Sequence, residues 1–327
     1  MNTSINTDFH SEISEEKYVA SLAPVVIFAY NRFDHLKKVI EALAKNEYAD
    51  STNVFVVSDG PKNDDDSIKI AQIRDFLKSV NYFKTLNIIE RKTNYGLAKN
   101  IIDGVTNVCR KYGKVIVLED DIVTSRFFLR FMNDALLKYD NKHEVMAVGG
   151  YFPVRKLDKK NSCFFLPWAT SWGWATWQRT WTQFERNPDK LIKEMNEQDI
   201  FRLNVYGNDK SKWKQVLLNK DNKLFTWAIF FDSLIIKNKG LVALCYPSVC
   251  KNIGFDGSGT NCGGTDVDGL KDIASEPINY FPDNVVEDIS ASRAFCKFAK
   301  KTSRSAFWYY LFRPKKALRR IVKIFRH

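Results

Sequence analysis

Four short apolar runs, at residues 24–29, 54–57, 86–89 and 115–118, recur about every thirty residues, with helical periodicity in each gap. The first gap, 34–45, lines up Leu36, Val39, Ile40 and Leu43 on one face. The second, 67–80, lines up Ile70, Ile73, Phe76, Leu77 and Val80. The third, 97–112, does the same with Ile101, Ile102, Val105 and Val108. Alternation on that scale dictates βαβ units and a parallel sheet covered by helices. A further helix over 127–139 and a strand over 145–148 bring the first half to its end near Gly149 and Gly150.

The fourth run passes without a spacer into Glu119, Asp120 and Asp121. Ligands of open α/β sheets sit beyond the carboxyl ends of strands. Three acids there repel one another unless a positive charge joins them. A hard divalent cation suits oxygen ligands and takes only one or two protein carboxylates, completing its shell with phosphate and water. The triplet therefore fits a metal bound to a phosphorylated ligand. The alternatives are three acids on a solvated loop, or Glu119 and Asp120 capping the helix from about Ser125. The other strand ends add Asn31 and Arg32, then Asp59, then Arg91 and Asn94. Amides for base edges, a carboxylate for ribose hydroxyls and a cation for a diphosphate together suit a nucleotide, although each residue alone also suits an ordinary turn. No GxGxxG or Walker loop is present.

These pieces carry a resemblance. The opening Phe28-Ala-Tyr-Asn-Arg32, the Ser58-Asp-Gly60 turn, the Asn94-Tyr-Gly-Leu-Ala-Lys-Asn100 turn into a helix and Leu118-Glu-Asp-Asp121 resemble the nucleotide-sugar-binding half of a GT-A glycosyltransferase. With Trp172-Gly-Trp-Ala-Thr-Trp177 and Asn252-Ile-Gly-Phe-Asp-Gly-Ser-Gly-Thr260, the chain resembles bacterial family-2-type sugar transferases, distantly similar to N-acetylglucosaminyltransferase I, over about residues 24–264. The resemblance implies a Rossmann-like mixed sheet flanked by helices and a Mn2+ or Mg2+ ion held by Asp121. It puts Asp120 near the donor ribose, Asp59 and Asn31 on the nucleoside, and Arg32, Arg91 and Asn94 in the same pocket. The chain divides into a flexible leader over 1–22, a nucleotide-sugar-binding half over 23–150, an acceptor-binding half of the same domain over 151–290, and a basic aromatic membrane-associating tail over 291–327.

In the second half five tryptophans fall within fourteen residues: Trp168, Trp172, Trp174, Trp177 and Trp181. Flat rings pack on the C–H faces of sugars, and tryptophan is also heavily buried on average. About half the block is expected in the core, with Trp172 and Trp174 facing a sugar. An inverting transferase needs a general base. Asp209, Asp221, Asp232 and Asp256 are the carboxylates available. Relatives often carry an acid near the position of Trp227. Asp232, the nearest carboxylate downstream, is the expected base if 226–232 is helical, or else a helix-surface acid. After Thr260 many relatives carry His, which can ligate metal. This chain has Asn261, which offers a carbonyl oxygen in its place.

Of the 50 Lys and Arg, eleven fall in 297–327, which holds no Asp or Glu; the other 39 face 38 acids, so the body is nearly neutral. Leu318, Ile321, Val322 and Phe325 share one helical face against Lys316, Arg319, Arg320, Lys323 and Arg326, after an aromatic belt at 307–312. That pattern implies an interfacial helix on an anionic membrane, or a terminal helix docked on its own body. A nucleic-acid partner leaves the apolar face uncovered. Six cysteines without a CxxC pair, and an acidic polar N-terminus, fit a cytoplasmic protein at the inner membrane face. The expected activity is transfer of a sugar from a nucleotide-sugar, a UDP-sugar above others, to a glycan or lipid-linked saccharide of the cell surface. A sugar nucleotidyltransferase and a non-catalytic sugar-nucleotide-binding module are the alternatives.

Overall fold

A computed structural model of the chain describes residues 13–256 and 273–311. Strands β1 (Val25–Ala29), β2 (Asn53–Ser58), β3 (Thr85–Glu90) and β4 (Lys114–Glu119) pair in parallel in the order β3-β2-β1-β4. The crossovers are the expected helices: α2 (Phe33–Ala44), α3 (Asp64–Lys78) and α4 (Leu97–Tyr112). Each begins or ends within about three residues of the span read from periodicity.

The same sheet continues through β8 (Trp174–Trp177), β6 (Val145–Gly149), β9 (Leu241–Tyr246) and β7 (Ser162–Leu166). β8 runs antiparallel between β4 and β6, while β9 is parallel to β6 and β7 closes the edge antiparallel to β9. The sheet is therefore mixed, and the tryptophan block supplies the strand that joins its two halves. Alternation along β1 sorts the core. Val25, Ile27 and Ala29 face Leu36, Ile40, Ile73 and, from α5 (Phe128–Lys138), Phe131 and Leu136. Val26 and Phe28 face Ile101 and Val105 of α4 and, farther along, Trp168, Trp174 and Phe231.

Two expectations change. Residues 15–20 of the supposed leader form α1 (Glu15–Ala20), capped by Ser14. Tyr18 is buried and donates to Asp134 Oδ1 at 2.6 Å, and the backbone N–H of Ala23 donates to Asn133 Oδ1 at 2.8 Å. An aromatic ring with a polar handle docks this segment on α5. The start of the expected tail at 291 lies within a helix. α11 spans Ile289–Leu311, with Ala291 and Ala299 buried and Phe295 stacked on Trp168 at 5.2 Å. The basic amphipathic stretch over 316–326 lies outside the described residues, as do 1–12 of the leader. Among the described residues no helix is long and apolar enough to cross a membrane.

Candidate active site

β1 ends into Tyr30, Asn31 and Arg32, and β4 ends beside it into Asp120 and Asp121. Both aspartates are buried, because the chain turns at once into β5 (Ile122–Thr124), which pairs antiparallel with β10 (Cys250–Asn252). The positive charge joining the acids is Arg32. Its Nη2 bonds Asp120 Oδ1 and lies 2.9 Å from Asp121 Oδ2. The backbone N–H of Tyr30 donates to Asp120 Oδ2 at 3.4 Å. Asp121 Oδ1 and Arg32 Nη1 are buried with no hydrogen-bond partner among the described residues.

Electrostatics follow from this crowding. Burial, then the charges of Asp121 and Asp120, push Glu119 up to about 8. Burial also raises Asp120, against the pull of Arg32. Burial works against the charge on Arg32, but the two aspartates outweigh it and hold the guanidinium above its ordinary value.

The segment after β10 closes on this cluster. The N–H of Ile253 donates to the Asp121 carbonyl at 2.9 Å, and that of Gly254 donates to Asn252 Oδ1 at 2.6 Å. A Cβ at Gly254 would fall 2.3 Å from Asp121 Oδ2 and 3.0 Å from Arg32 Nη1, so only glycine passes here without displacing the carboxylate. Two residues on, Asp256 meets His35 Nε2 at 3.1 Å, one turn along α2 from Arg32. The rest of the glycine-dense loop, with Asn261, lies outside the described residues.

Asp59 is saturated by its own surroundings. It accepts from the N–H groups of Gly60 and Tyr95 at 2.8 Å, from that of Gly96 at 3.0 Å and from Asn94 Nδ2 at 2.9 Å. It thereby ties the β2 turn to the β3 turn, which also requires Gly60, whose Cβ would sit 2.3 Å from the Thr93 carbonyl carbon. Arg91 turns away from the acids: Nε donates to Asn100 Oδ1 at 3.2 Å, Nη2 bonds Asp103, and the guanidinium stacks on Tyr95. Arg91, expected to line the donor pocket with Asn94, is held here by α4, which offers it two oxygen partners.

In the second half, Trp174 and Asp232 both lie in packed surroundings. Trp174 is enclosed, stacked on Trp227 at 5.0 Å and against Trp181 and Phe231. Strand β8 carries it into the core between sheet and helices. Asp232 lies on α10 (Ala228–Lys237), where Ile229–Ile236 are all buried. A carboxylate there must be paired, and it is: Lys212 Nζ stands 2.6 Å away and the N–H of Ala169 donates at 3.2 Å. Asp209 accepts from Ser211, and Asp221 pairs with Lys223 at the surface. Trp172 packs against the segment after β10. It is half-buried, packed on Tyr151 at 4.6 Å and on Phe255 at 5.6 Å.

Sequence reasoning missed Asp66, which accepts from Tyr30 Oη and from Asn31 Nδ2, both at 2.6 Å. A signal existed: Asp66 shares the face of Ile70, Ile73 and Leu77, a polar residue on a buried stripe.

The model of the family described as Glycosyl transferase family 2 matches residues 25–207, from the start of β1 through the first three α/β units and the tryptophan block. The chain belongs to glycosyl transferase family 2. Its mixed sheet flanked by helices is the GT-A fold, and the chain is a glycosyltransferase. The mannosyltransferase PcManGT from Pyrobaculum calidifontis, solved with GDP-Man and Mn2+, is 12% identical over 66% of this chain and 68% of that one, with a TM-score of 0.36. S. aureus TarS is 15% identical over 70% of this chain, which spans 36% of TarS, with a TM-score of 0.38. Glucosyl-3-phosphoglycerate synthase from Mycobacterium tuberculosis, solved with Mn2+, UDP and glucosyl-3-phosphoglycerate, is 14% identical over 41% of this chain and 45% of that one, with a TM-score of 0.29. No curated protein matches the chain.

Proposed function

We propose that this family-2 glycosyltransferase moves a sugar from a UDP-sugar to a glycan or lipid-linked saccharide in surface polysaccharide synthesis, by one inverting displacement at the edge formed by β1, β2 and β4. The observation that carries the reading is the end of β4, where Asp121 keeps a buried oxygen without a partner among the described residues beside the guanidinium of Arg32. That donor set fits Mn2+ or Mg2+, which need few protein carboxylates when phosphate and water complete the shell. Among the described residues no group of three His, Cys, Asp or Glu side chains could hold a metal, so Asp121 would be the anchor. When bound, such an ion neutralises charge gathering on a departing nucleoside diphosphate.

The protein's own groups divide the remaining work. Arg32 brings a fixed positive charge to the same edge. Asp120 is placed for the ribose and Asn31 for the base, while Asp59 and Asn94 hold the floor of the nucleoside pocket. Trp172 and Phe255 offer an apolar wall for a sugar face. Of the four carboxylates weighed as base, Asp256 stands beside Gly254 and is oriented by His35, which suits it to take the acceptor hydroxyl proton. The basic amphipathic stretch at 316–326 supports attachment to an anionic inner membrane face, where lipid-linked acceptors are met.

The test is turnover of UDP-sugars with a membrane glycan fraction and Mn2+. Release of UDP, lowered in kcat but not KM by Asp256→Asn, supports the reading. Release of pyrophosphate would indicate a nucleotidyltransferase, and release of neither a binding module.

A further inference from the structure

Asp66 is the only acid of the α3 first turn that is buried, at 6% exposure. It accepts from Tyr30 Oη and Asn31 Nδ2, and from the backbone N–H of Lys62 at 3.4 Å. The hydrogen bond from Tyr30, aided by that from Asn31 against burial, holds its carboxyl below the ordinary value, so it is an acceptor only. This dictates the orientation of its partners. The amide nitrogen of Asn31 must point at Asp66, which turns Oδ1 the other way. The one proton of Tyr30 is spent on Asp66, which leaves the phenol its lone pairs. Asp59 does the same to Asn94, whose Nδ2 is taken by Asp59 Oδ2 and the Gly60 carbonyl, each at 2.9 Å. Among the described residues neither Asn31 Oδ1 nor Asn94 Oδ1 accepts a protein hydrogen bond. Donors face inward to two buried carboxylates, and acceptors face outward.

We propose that Asp66 is a positioning and specificity residue: it presets Tyr30 and Asn31 as hydrogen-bond acceptors, so the site selects a nucleobase edge that carries N–H donors. Uracil, with its imide N–H, and guanine, with adjacent ring and amino N–H groups, offer such an edge. Cytosine carries N–H donors only on its exocyclic amino group and presents a lone pair at the ring nitrogen, where uracil and guanine carry a hydrogen, so an acceptor set against that ring position is left unpaired. The inference rests on the function proposed above, because the donor nucleotide is what brings a base to this edge.

The experiment titrates UDP, GDP and CDP, with Mn2+ present, into the full chain as wild type, Asp66→Asn and Tyr30→Phe, with thermal melts in parallel. Wild type is expected to bind UDP or GDP at least ~10-fold more tightly than CDP, since a site built to bond a ring N–H rejects a base whose ring nitrogen lacks that hydrogen. The two arms name the base. An amide at position 66 donates as well as accepts, so one partner can turn its own hydrogen toward the nucleotide. Asp66→Asn is therefore expected to shrink the preference to within ~3-fold. A purely structural role would weaken all three nucleotides alike and leave the ratio where it was, and that result in a folded variant overturns the inference. Should Asp66→Asn not hold its melt, Tyr30→Phe removes one acceptor and must also lower the ratio; an unchanged ratio there overturns the inference too. Wild type that binds nucleotides without preference, or prefers CDP, sinks the role of Asp66 and leaves the transferase reading standing. Wild type that binds none of the three sinks both.

Discussion

Arg32 Nη2 lies 2.9 Å from Asp121 Oδ2 and also bonds Asp120, so two buried carboxylates at the end of β4 share one guanidinium. One formal positive charge answers two negative ones. Asp121 Oδ1 has no hydrogen-bond partner among the described residues.

Removing the guanidinium leaves those carboxylates uncompensated. Arg32→Ala is expected to lower stability by on the order of 3 kcal/mol without divalent ions, because breaking a buried pair strands the surviving charge. Mn2+ should then raise the melting temperature of the variant more than that of wild type, since it supplies the missing charge. Scanning calorimetry with and without Mn2+ checks both. Equal melting temperatures for the two proteins would show that Arg32 does not hold the acids.

The Lys212–Asp232 pair makes a separate claim about the second half. Lys212→Met should destabilise by roughly 3 kcal/mol, and adding Asp232→Asn should recover part of that loss, as a coupled buried pair requires. Urea midpoints of the two single variants and the double variant measure the coupling. A catalytic base would give another result: Asp232→Asn would abolish turnover and leave the midpoint untouched.

Burial pushes the thiols of Cys109 and Cys163 up from 9.0 to about 12. Above the ordinary thiol value the unfolded chain gives up protons that the folded chain keeps. The unfolded state then binds fewer protons, so stability falls as pH rises. Their contribution is complete below pH 9.0 and is lost progressively toward about 12. Unfolding midpoints of wild type and a Cys109→Ala, Cys163→Ala variant at pH ~8 and ~10 should show a smaller alkaline drop in the variant. An equal drop would place those thiols in water.

Apolar periodicity made β1 to β4 and their helices legible: β1 and β4, buried on both faces, carry unbroken apolar runs, and the edge strand β3, only partly covered, keeps a shorter one. The strand ends were legible for the same reason, and Asp59, Asp120 and Asp121 stand where those ends put them. Pairing was not legible. Nothing local in Trp174-Ala-Thr-Trp177 shows that it slots antiparallel between β4 and β6, which is what carries Trp174 into the core. The surroundings of Asp232 were not legible, because local spacing says which face of a helix a residue takes but not what covers that face. Lys212, twenty residues away, was the missing partner. Asp66 sat in plain view within a run of acids that serves equally well to begin a helix.

The central claim is that the end of β4 is a metal-assisted nucleotide-sugar site. The most direct test is calorimetric titration of UDP into wild type and Asp121→Ala, each with and without Mn2+. Wild type is expected to bind UDP at least ~10-fold more tightly with Mn2+ than without it, and Asp121→Ala to lose the gain while staying folded. Binding that is equally tight with and without Mn2+, and in both proteins, would contradict it.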